Sequence, residues 1–374
     1  MPFGSEGVQD GVGLALSGGG FRATLFHAGA LWRLNELRWL PRLDRVSSVS
    51  GGSIATAVLA KAWPALEFRD NVATRFREAV VEPILKFTKR NVDTPSIVKG
   101  ALTPGRSIAE VMVAQYRNQL LGDFRLQQLP DRPLFVFVAT NLGTGAMWRF
   151  GKPYSGDYRL GLIHGYDCDV ATAVAASAAF PPVLSPVVLR LDPDRFTQTK
   201  GADLFDHREL RKVVALADGG VYDNMGVQPI WDRYRTLLVS DAGGPASMQF
   251  GPKRMWWNQL HRAYGLTIEQ DRDLRRRILY KAFTSHDPKE KRSGTYWLIA
   301  WPMEKFNTEH ALLVAKDWPR TLSEIPTRLT RFTDEEQQRL INWGYALTDA
   351  AIRRRVEPSD VPTQWPFADY RLDA

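Results

Sequence analysis

Residues 12–63 constrain the fold more tightly than any other part of the chain. They hold two short apolar runs, "VGLALS" (12–17) and "RVSSVS" (45–50), each closed by a turn of small residues and followed at once by a helical pattern. An apolar run of this length, bounded by glycines, suits a strand buried on both faces of a parallel sheet. After the first run, "GGG" opens "FRATLFHAGALWRLNEL". There Leu25, Ala28, Leu31, Trp32 and Leu34 recur at helical spacing, and Pro41 stops the pattern. After the second run, "GSIATAVLAKAW" predicts another helix that ends before Pro64. Strand, glycine turn, helix, strand, tight turn, helix is a βαβ unit. It predicts an α/β protein of three layers, with a mainly parallel central sheet flanked by helices. Ligands in such sheets sit at the carboxyl ends of the strands, so both glycine-rich turns should open on one edge.

The remaining strand signals are "PLFVFVATNLG" (133–143), "VVALADGG" (213–220), "TLLVSDAGG" (236–244) and "GTYWLIAWP" (294–302). "VATAVAASAAF" (170–180) predicts a small-residue helix stopped by Pro181 and Pro182. Residues 64–130 are more polar and mostly helical, with breaks around 91–96 and 103–106, and are expected to form a helical insertion or lid. Beyond 250 the character changes. Residues 254–283 read as one helix. Thr333 and Glu336 have capping-box spacing ahead of an apolar stripe of Leu340, Trp343, Leu347, Ala350 and Ala351, with Arg353, Arg354 and Arg355 at its negative end. No linker composition interrupts the chain. The expectation is one unit over 1–374, with core motifs within 12–245 and a C-terminal extension, 250–374, packed on the core.

The chain of 374 residues carries a net charge of +8, which favours anionic partners: nucleic acid, an acidic membrane or phosphorylated ligands. Its one cysteine, Cys168, excludes an intramolecular disulfide and points to a reducing compartment. No basic-then-apolar leader pattern opens the sequence, and no apolar run approaches the roughly 18 residues of a membrane span. The expected location is cytoplasmic, peripheral at a membrane.

Ser50 stands where an apolar strand meets a helix with no room for a loop. A side chain there takes a strained backbone conformation and needs small neighbours two residues to each side. Those are Ser48 and Gly52, with Gly51 between; the usual form is Gly-x-Ser-x-Gly, and Ser48 replaces its first glycine. The geometry would expose the Ser50 hydroxyl above a helix N-terminus. The same letters also suit a serine-rich helix cap. The triple glycine tilts the choice. Gly18, Gly19 and Gly20 lie on the strand that βαβ topology sets beside the elbow, and successive glycine N–H groups can stabilise a tetrahedral oxyanion. Arg22 follows, suited to a phosphate. "GGGFRA" also fits a loose dinucleotide fingerprint. That reading needs an acidic residue at the end of the second strand, and Asp44 precedes that strand while Ser50 ends it.

A serine nucleophile needs a proton acceptor. Of six histidines, most read as surface residues; His310, after the strand at 294–302, can follow Asp241 in a Ser50–Asp241–His310 chain order. Asp218 can instead take the proton directly if burial tunes its pKa. Spacing leaves a Ser50–Asp218 dyad and the triad both open. No His-Glu-x-x-His or cysteine cluster suggests a metal, and no cofactor is expected.

Together these blocks resemble the patatin-like phospholipase family. "SGGGFRA" resembles its oxyanion loop, in the arginine-bearing version of cytosolic phospholipase A2, and "SVSGGS" its nucleophile elbow. "ASAAFPPVLSP" resembles its small-residue helix and proline block, and "DGGVYDNMG" its Asp-Gly-Gly motif. The resemblance implies a Ser50–Asp218 dyad without histidine, with Gly18, Gly19 and Gly20 as oxyanion donors. It implies Arg22 as an aid to substrate phosphate or site geometry, and Asn224 as a brace of the Asp-Gly-Gly loop. It also implies hydrolysis of fatty-acyl esters of phospholipids or lysophospholipids through an acyl-enzyme. The expected partners are that lipid and a transient membrane surface, met by the basic stretch 272–281 and by Trp256 and Trp257, with no nucleic acid. A lipid- or nucleotide-binding effector module with a latent site is the alternative class.

Overall fold

The computed structural model describes residues 7–92, 107–245, 251 and 255–373. Much of the breaks expected at 91–96 and 103–106 lies outside the described residues. Among the described residues ten strands form one sheet: β1 (Gln9–Leu16), β2 (Arg45–Val49), β3 (Leu134–Asn141), β4 (Ala146–Phe150), β5 (Tyr154–Asp157), β6 (Gly161–His164), β7 (Val187–Arg190), β8 (Val213–Asp218), β9 (Tyr234–Asp241) and β10 (Ser293–Leu298). The helices that matter most are α1 (Gly20–Glu36), α2 (Gly51–Ala62), α3 (Ile108–Tyr116), α4 (Val170–Ser177), α5 (Trp256–Thr284) and α6 (Asp334–Arg355).

One half of the sheet is parallel, in the order β10-β9-β1-β2-β3. The other half is antiparallel: β3-β4-β5-β6, with β8 joining β3 to β7. The antiparallel strands β4 to β7 carry no clear sequence signal. They are short and interrupted by Gly151, Pro153, Gly156 and Gly161, so alternation never runs long enough to be read.

The strand signal at 213–220 appears as β8, which ends at Asp218 but runs antiparallel to β3. β2 follows one edge of β3 as far as Val49 opposite Val138. β4 occupies the other edge, from Phe137 to Asn141. β8 therefore continues along the edge that β2 leaves, but in the opposite sense, with Asp218 opposite Ala139 and Leu216 opposite Asn141. β2 and β8 approach each other head-on, and their ends are Ser50 and Asp218.

α1 is buried around almost its whole circumference, wedged between the sheet and α6. A Cβ added at Gly29 would collide with the Ile341 carbonyl, and one at Gly344 with the Phe26 carbonyl, so the two helices touch backbone to backbone. Across this contact the fully buried Arg33 and Asp349 pair at 2.7 Å, and Tyr345 accepts a further bond from Arg33 at 2.9 Å. A buried pair of this kind is costly to break on one side. Thr333 and Glu336 form the expected capping box at the start of α6. Phe76, Val80, Ile84, Phe87, Met112 and Tyr116, from the stretch expected to be an insertion or lid, share the core with α1 and α6. Gln337 of α6 donates to Thr88 at 2.8 Å.

Because Gly344 meets backbone, Gly344→Val has no low-strain solution. It should cost about 3 kcal/mol of unfolding free energy, measured by urea denaturation followed by far-UV circular dichroism. A change within experimental error would mean that α6 does not seat on α1.

Candidate active site

β2 ends at Val49 and α2 begins at Gly51, so Ser50 alone makes the turn. It does so at φ 50°, ψ −119°, a conformation that non-glycine residues rarely adopt and that persists only when the surroundings enforce it. Gly51 and Gly52 allow the enforcement. A Cβ on Gly51 would strike the Gly20 carbonyl and one on Gly52 the Leu16 and Ser17 carbonyls, so α2 starts pressed against the end of β1.

Ser48 occupies the place of the usual first glycine because its side chain has a polar niche. Its hydroxyl donates to the Val136 carbonyl at 3.4 Å and accepts from Ser53 at 3.1 Å. Ser53 also lies 2.9 Å from the Ser177 hydroxyl, which accepts the Ser50 N–H at 3.0 Å and donates to the Val138 carbonyl at 2.6 Å. The Ser177 carbonyl accepts the Gly219 N–H at 3.2 Å. One serine at the end of α4 thus grips both the Ser50 turn and the Asp218 turn. Sequence reasoning passed over Ser177; its one signal was a hydroxyl inside an alanine run.

Asp218 is buried at the end of β8. Its Oδ1 accepts the Gly220 N–H at 2.7 Å, and the nearby Ser50 hydroxyl also favours its charged form. Burial pushes its pKa up to about 7, outweighing both. Thr140 donates to the Asp218 carbonyl at 2.9 Å and the Asp218 N–H goes to Ala179 at 2.8 Å, so the backbone that carries the carboxyl is fixed on both sides.

The glycine loop lies against this pair, its Gly18 so close to Ser50 and Asn224 that a Cβ there would collide with the Asn224 amide. Of the three expected oxyanion donors, Gly18 is corrected: its N–H is already given to the Asn224 carbonyl at 2.9 Å. Among the described residues no acceptor meets the N–H of Gly19 or Gly20, and both residues have positive φ, 142° and 58°. Asn224 fills the space between Gly18 and Gly220 and so bridges the two loops. Its neighbour Asp223, which the sequence reading did not single out, accepts the N–H groups of Met225, Gly226 and Gln228 at 3.0, 3.1 and 2.8 Å and shapes that loop.

Arg22 is also corrected in part. Its guanidinium is buried against carbonyls, donating to Ala242 at 3.1 and 3.3 Å and to Ile325, rather than being presented to a substrate phosphate. Burial and the nearby Arg272 lower its pKa to about 10. It ties the glycine loop to the turn after β9 and to the C-terminal region. Asp241 and His310 are not brought together by any hydrogen bond or ion pair among the described residues. Asp241 is buried and occupied by the Tyr296 hydroxyl at 2.7 Å, the Gly243 N–H at 2.8 Å and Arg272 at 3.9 Å. His310 lies exposed on a loop. The histidine behind the glycine loop is His27. Its Nε2 must donate to the Ser17 carbonyl at 3.0 Å, which leaves Nδ1 to accept the Ser240 hydroxyl at 3.0 Å. Burial lowers its pKa to about 4, so it is a neutral core residue.

A cavity of about 1150 Å³ opens elsewhere, lined by Trp32, Trp39, Arg42 and Trp365 and by none of these residues. Among the described residues no three His, Cys, Asp or Glu side chains converge as a metal site.

The model of the patatin-like phospholipase family matches residues 14–231, more than half of the chain. The chain belongs to the patatin-like phospholipase family. The matched span holds the glycine loop, Ser50, Ser177 and Asp218, while α5 and α6 lie outside it. Its fold is similar to that of human GIVD cytosolic phospholipase A2 in complex with methyl gamma-linolenyl fluorophosphonate. The TM-score is 0.52 at 13% identity over 91% of this chain and 57% of that one. A second structure of the human enzyme, with the same inhibitor and terbium chloride, gives 0.51 at 14% identity over 91% and 58%. The chain therefore spans less than two thirds of the length of these structures. Among curated proteins none matches it.

Ser177→Ala removes the acceptor of the Ser50 N–H and leaves the Val138 carbonyl without its side-chain donor. It should lower unfolding free energy by about 1–3 kcal/mol, read from the urea midpoint. An unchanged midpoint would show that the strained turn does not need Ser177.

Proposed function

We propose that the chain is a serine acyl hydrolase that cleaves fatty-acyl esters of phospholipids or lysophospholipids through a Ser50–Asp218 dyad. The observation that carries this reading is a buried carboxyl, poised near neutrality, beside the hydroxyl of a serine held in a strained strand-to-helix turn. A base tuned close to the working pH combines the right protonation state with driving force for proton transfer.

As the Ser50 oxygen attacks the ester carbonyl, the Asp218 carboxylate takes its proton. Charge develops on the carbonyl oxygen, where the N–H groups of Gly19 and Gly20 and the N-terminus of α2 favour it. Asp218 then returns the proton to the departing alcohol, leaving the fatty acid esterified to Ser50. Water repeats the sequence: Asp218 takes its proton, the acyl–Ser50 bond breaks, and the proton goes back to Ser50. Gly18, Arg22, Asn224, Asp223 and Ser177 hold the loops in register. No helix among the described residues is long and apolar enough to cross a membrane. In this reading the protein works as a peripheral cytoplasmic enzyme that meets its lipid at the membrane surface.

Ser50→Ala and Asp218→Asn should each reduce fatty-acid release from phospholipid vesicles by about 1,000-fold or more, while His310→Ala keeps the wild-type rate. Full activity in Asp218→Asn would sink the dyad. A fluorophosphonate probe should label Ser50 in the wild type; absence of labelling together with tight nucleotide binding would favour a binding module. The charged carboxylate is the active form, so kcat/KM should rise with pH through about 7 and level off above it. A profile flat from pH 5 to pH 9 would contradict an Asp218 base.

A further inference from the structure

α5 has two faces that do different things. The inner face is tied to the site. Arg272 donates to the Gly244 carbonyl at 3.2 Å and faces Asp241, Arg275 donates to the Tyr222 carbonyl at 3.0 Å, and Leu279 and Ala282 enter the core. Tyr264 packs its ring 5.5 Å from Phe180, the residue after Ala179, whose carbonyl holds the Asp218 N–H. This face lies across the turn that carries the proposed base.

The outer face carries two uncovered apolar pairs, separated by Ala263, Thr267 and Gln270. Trp256, Leu260, Leu274 and Ile278 are 72%, 63%, 55% and 44% exposed, and at 3.6 residues per turn they fall within about 40° of one line along the helix. Met255 and Trp257 are exposed at the same end. Clustered exposed apolar side chains, unlike single scattered ones, mark an interaction surface. Arg277 and Lys281 are exposed on the same helix, and the chain as a whole carries +8. A tryptophan and three aliphatic side chains on one line, a second tryptophan at the same end and cations beside them suit a helix that lies in the plane of a negatively charged bilayer. A second copy of the chain would also cover apolar surface. It would not account for the cations, nor for why the covered helix is the one packed on the Asp218 turn.

We propose that the outer face of α5 is the surface on which the protein lies on an anionic lipid bilayer, so that one helix contacts the substrate phase with one side and the Asp218 turn with the other. The proposal rests on the lipid hydrolase reading for its meaning, but its test is separate. Ser50→Ala serves as the parent, so that vesicles are not consumed. It should cosediment with phosphatidylglycerol-containing vesicles, with a blue shift of tryptophan emission, and bind pure phosphatidylcholine vesicles more weakly. Trp256→Ser/Leu260→Ser and Leu274→Ser/Ile278→Ser, at the two ends of the line, should each weaken vesicle binding about tenfold or more. In the Ser50 background both pairs should keep wild-type hydrolysis of a water-soluble butyrate ester, which also reports that they fold. Undiminished vesicle binding in both pairs would overturn the proposal, as would a dimer that the substitutions dissolve without any vesicle binding. A Ser50 protein that hydrolyses the soluble ester while the parent ignores anionic vesicles overturns docking alone. A parent that binds vesicles, with a Ser50 protein that hydrolyses neither ester nor lipid, leaves docking standing and overturns the hydrolase reading.

Discussion

The site depends on two strands that end head-on at one edge of β3. β2 delivers Ser50 from below and β8 delivers Asp218 from above, level with Ala139. Sheet pairing fixes both approaches, so the two side chains meet without a long loop that would have to be ordered. The same geometry buries the carboxyl. With the Gly220 N–H and the Ser50 hydroxyl beside it, burial prevails and the group becomes a weak enough acid to exchange a proton near neutral pH. Asp241 is the instructive contrast. It too ends a buried strand ahead of glycines, yet Tyr296, Gly243 and Arg272 occupy it. Local sequence is alike in the two places; its partners make Asp241 structural, while Asp218 is left beside Ser50.

A serine at φ 50° stores strain, and the surrounding packing holds it there. Gly51 and Gly52 let backbone meet backbone on one side of the turn. On the other side Ser48, Ser53 and Ser177 form a buried hydroxyl cluster that takes the Ser50 N–H and reaches the carbonyls of Val136 and Val138. Arg22 extends the framework outward, because its bonds to Ala242 and Ile325 tie the glycine loop to the chain beyond the family match. The C-terminal third is thus built into the site, through Ile325 on the glycine loop and through α5 across the Asp218 turn.

Residues 12–63 were legible because each of their elements is announced locally: apolar run, glycine turn, helical stripe. Ser50 stood out because small residues flank it at a strand end; Asp218 shared that signature with Asp241, and the family resemblance alone separated them. The direction of β8 was not legible, since an apolar run ending in aspartate and glycine reads the same whichever way its neighbour runs. The fate of the Gly18 N–H and of the Arg22 guanidinium was equally hidden. Both are spent on backbone carbonyls, of Asn224 and of Ala242 and Ile325, and a carbonyl carries no residue signature. Ser177 was obscured by its own company, a single hydroxyl among alanines whose role appears only when α4 is set against Ser50.

The central claim is that burial makes Asp218 a base with a pKa of about 7. The most direct test is an infrared difference titration that compares the wild type with Asp218→Asn and follows the stretch of the protonated carboxyl. The account predicts one carboxyl that stays protonated well above the ordinary aspartate range, ionises around pH 7 and is missing from the variant. A wild type whose carboxyls are all ionised by about pH 5, with no band lost in Asp218→Asn, would contradict it.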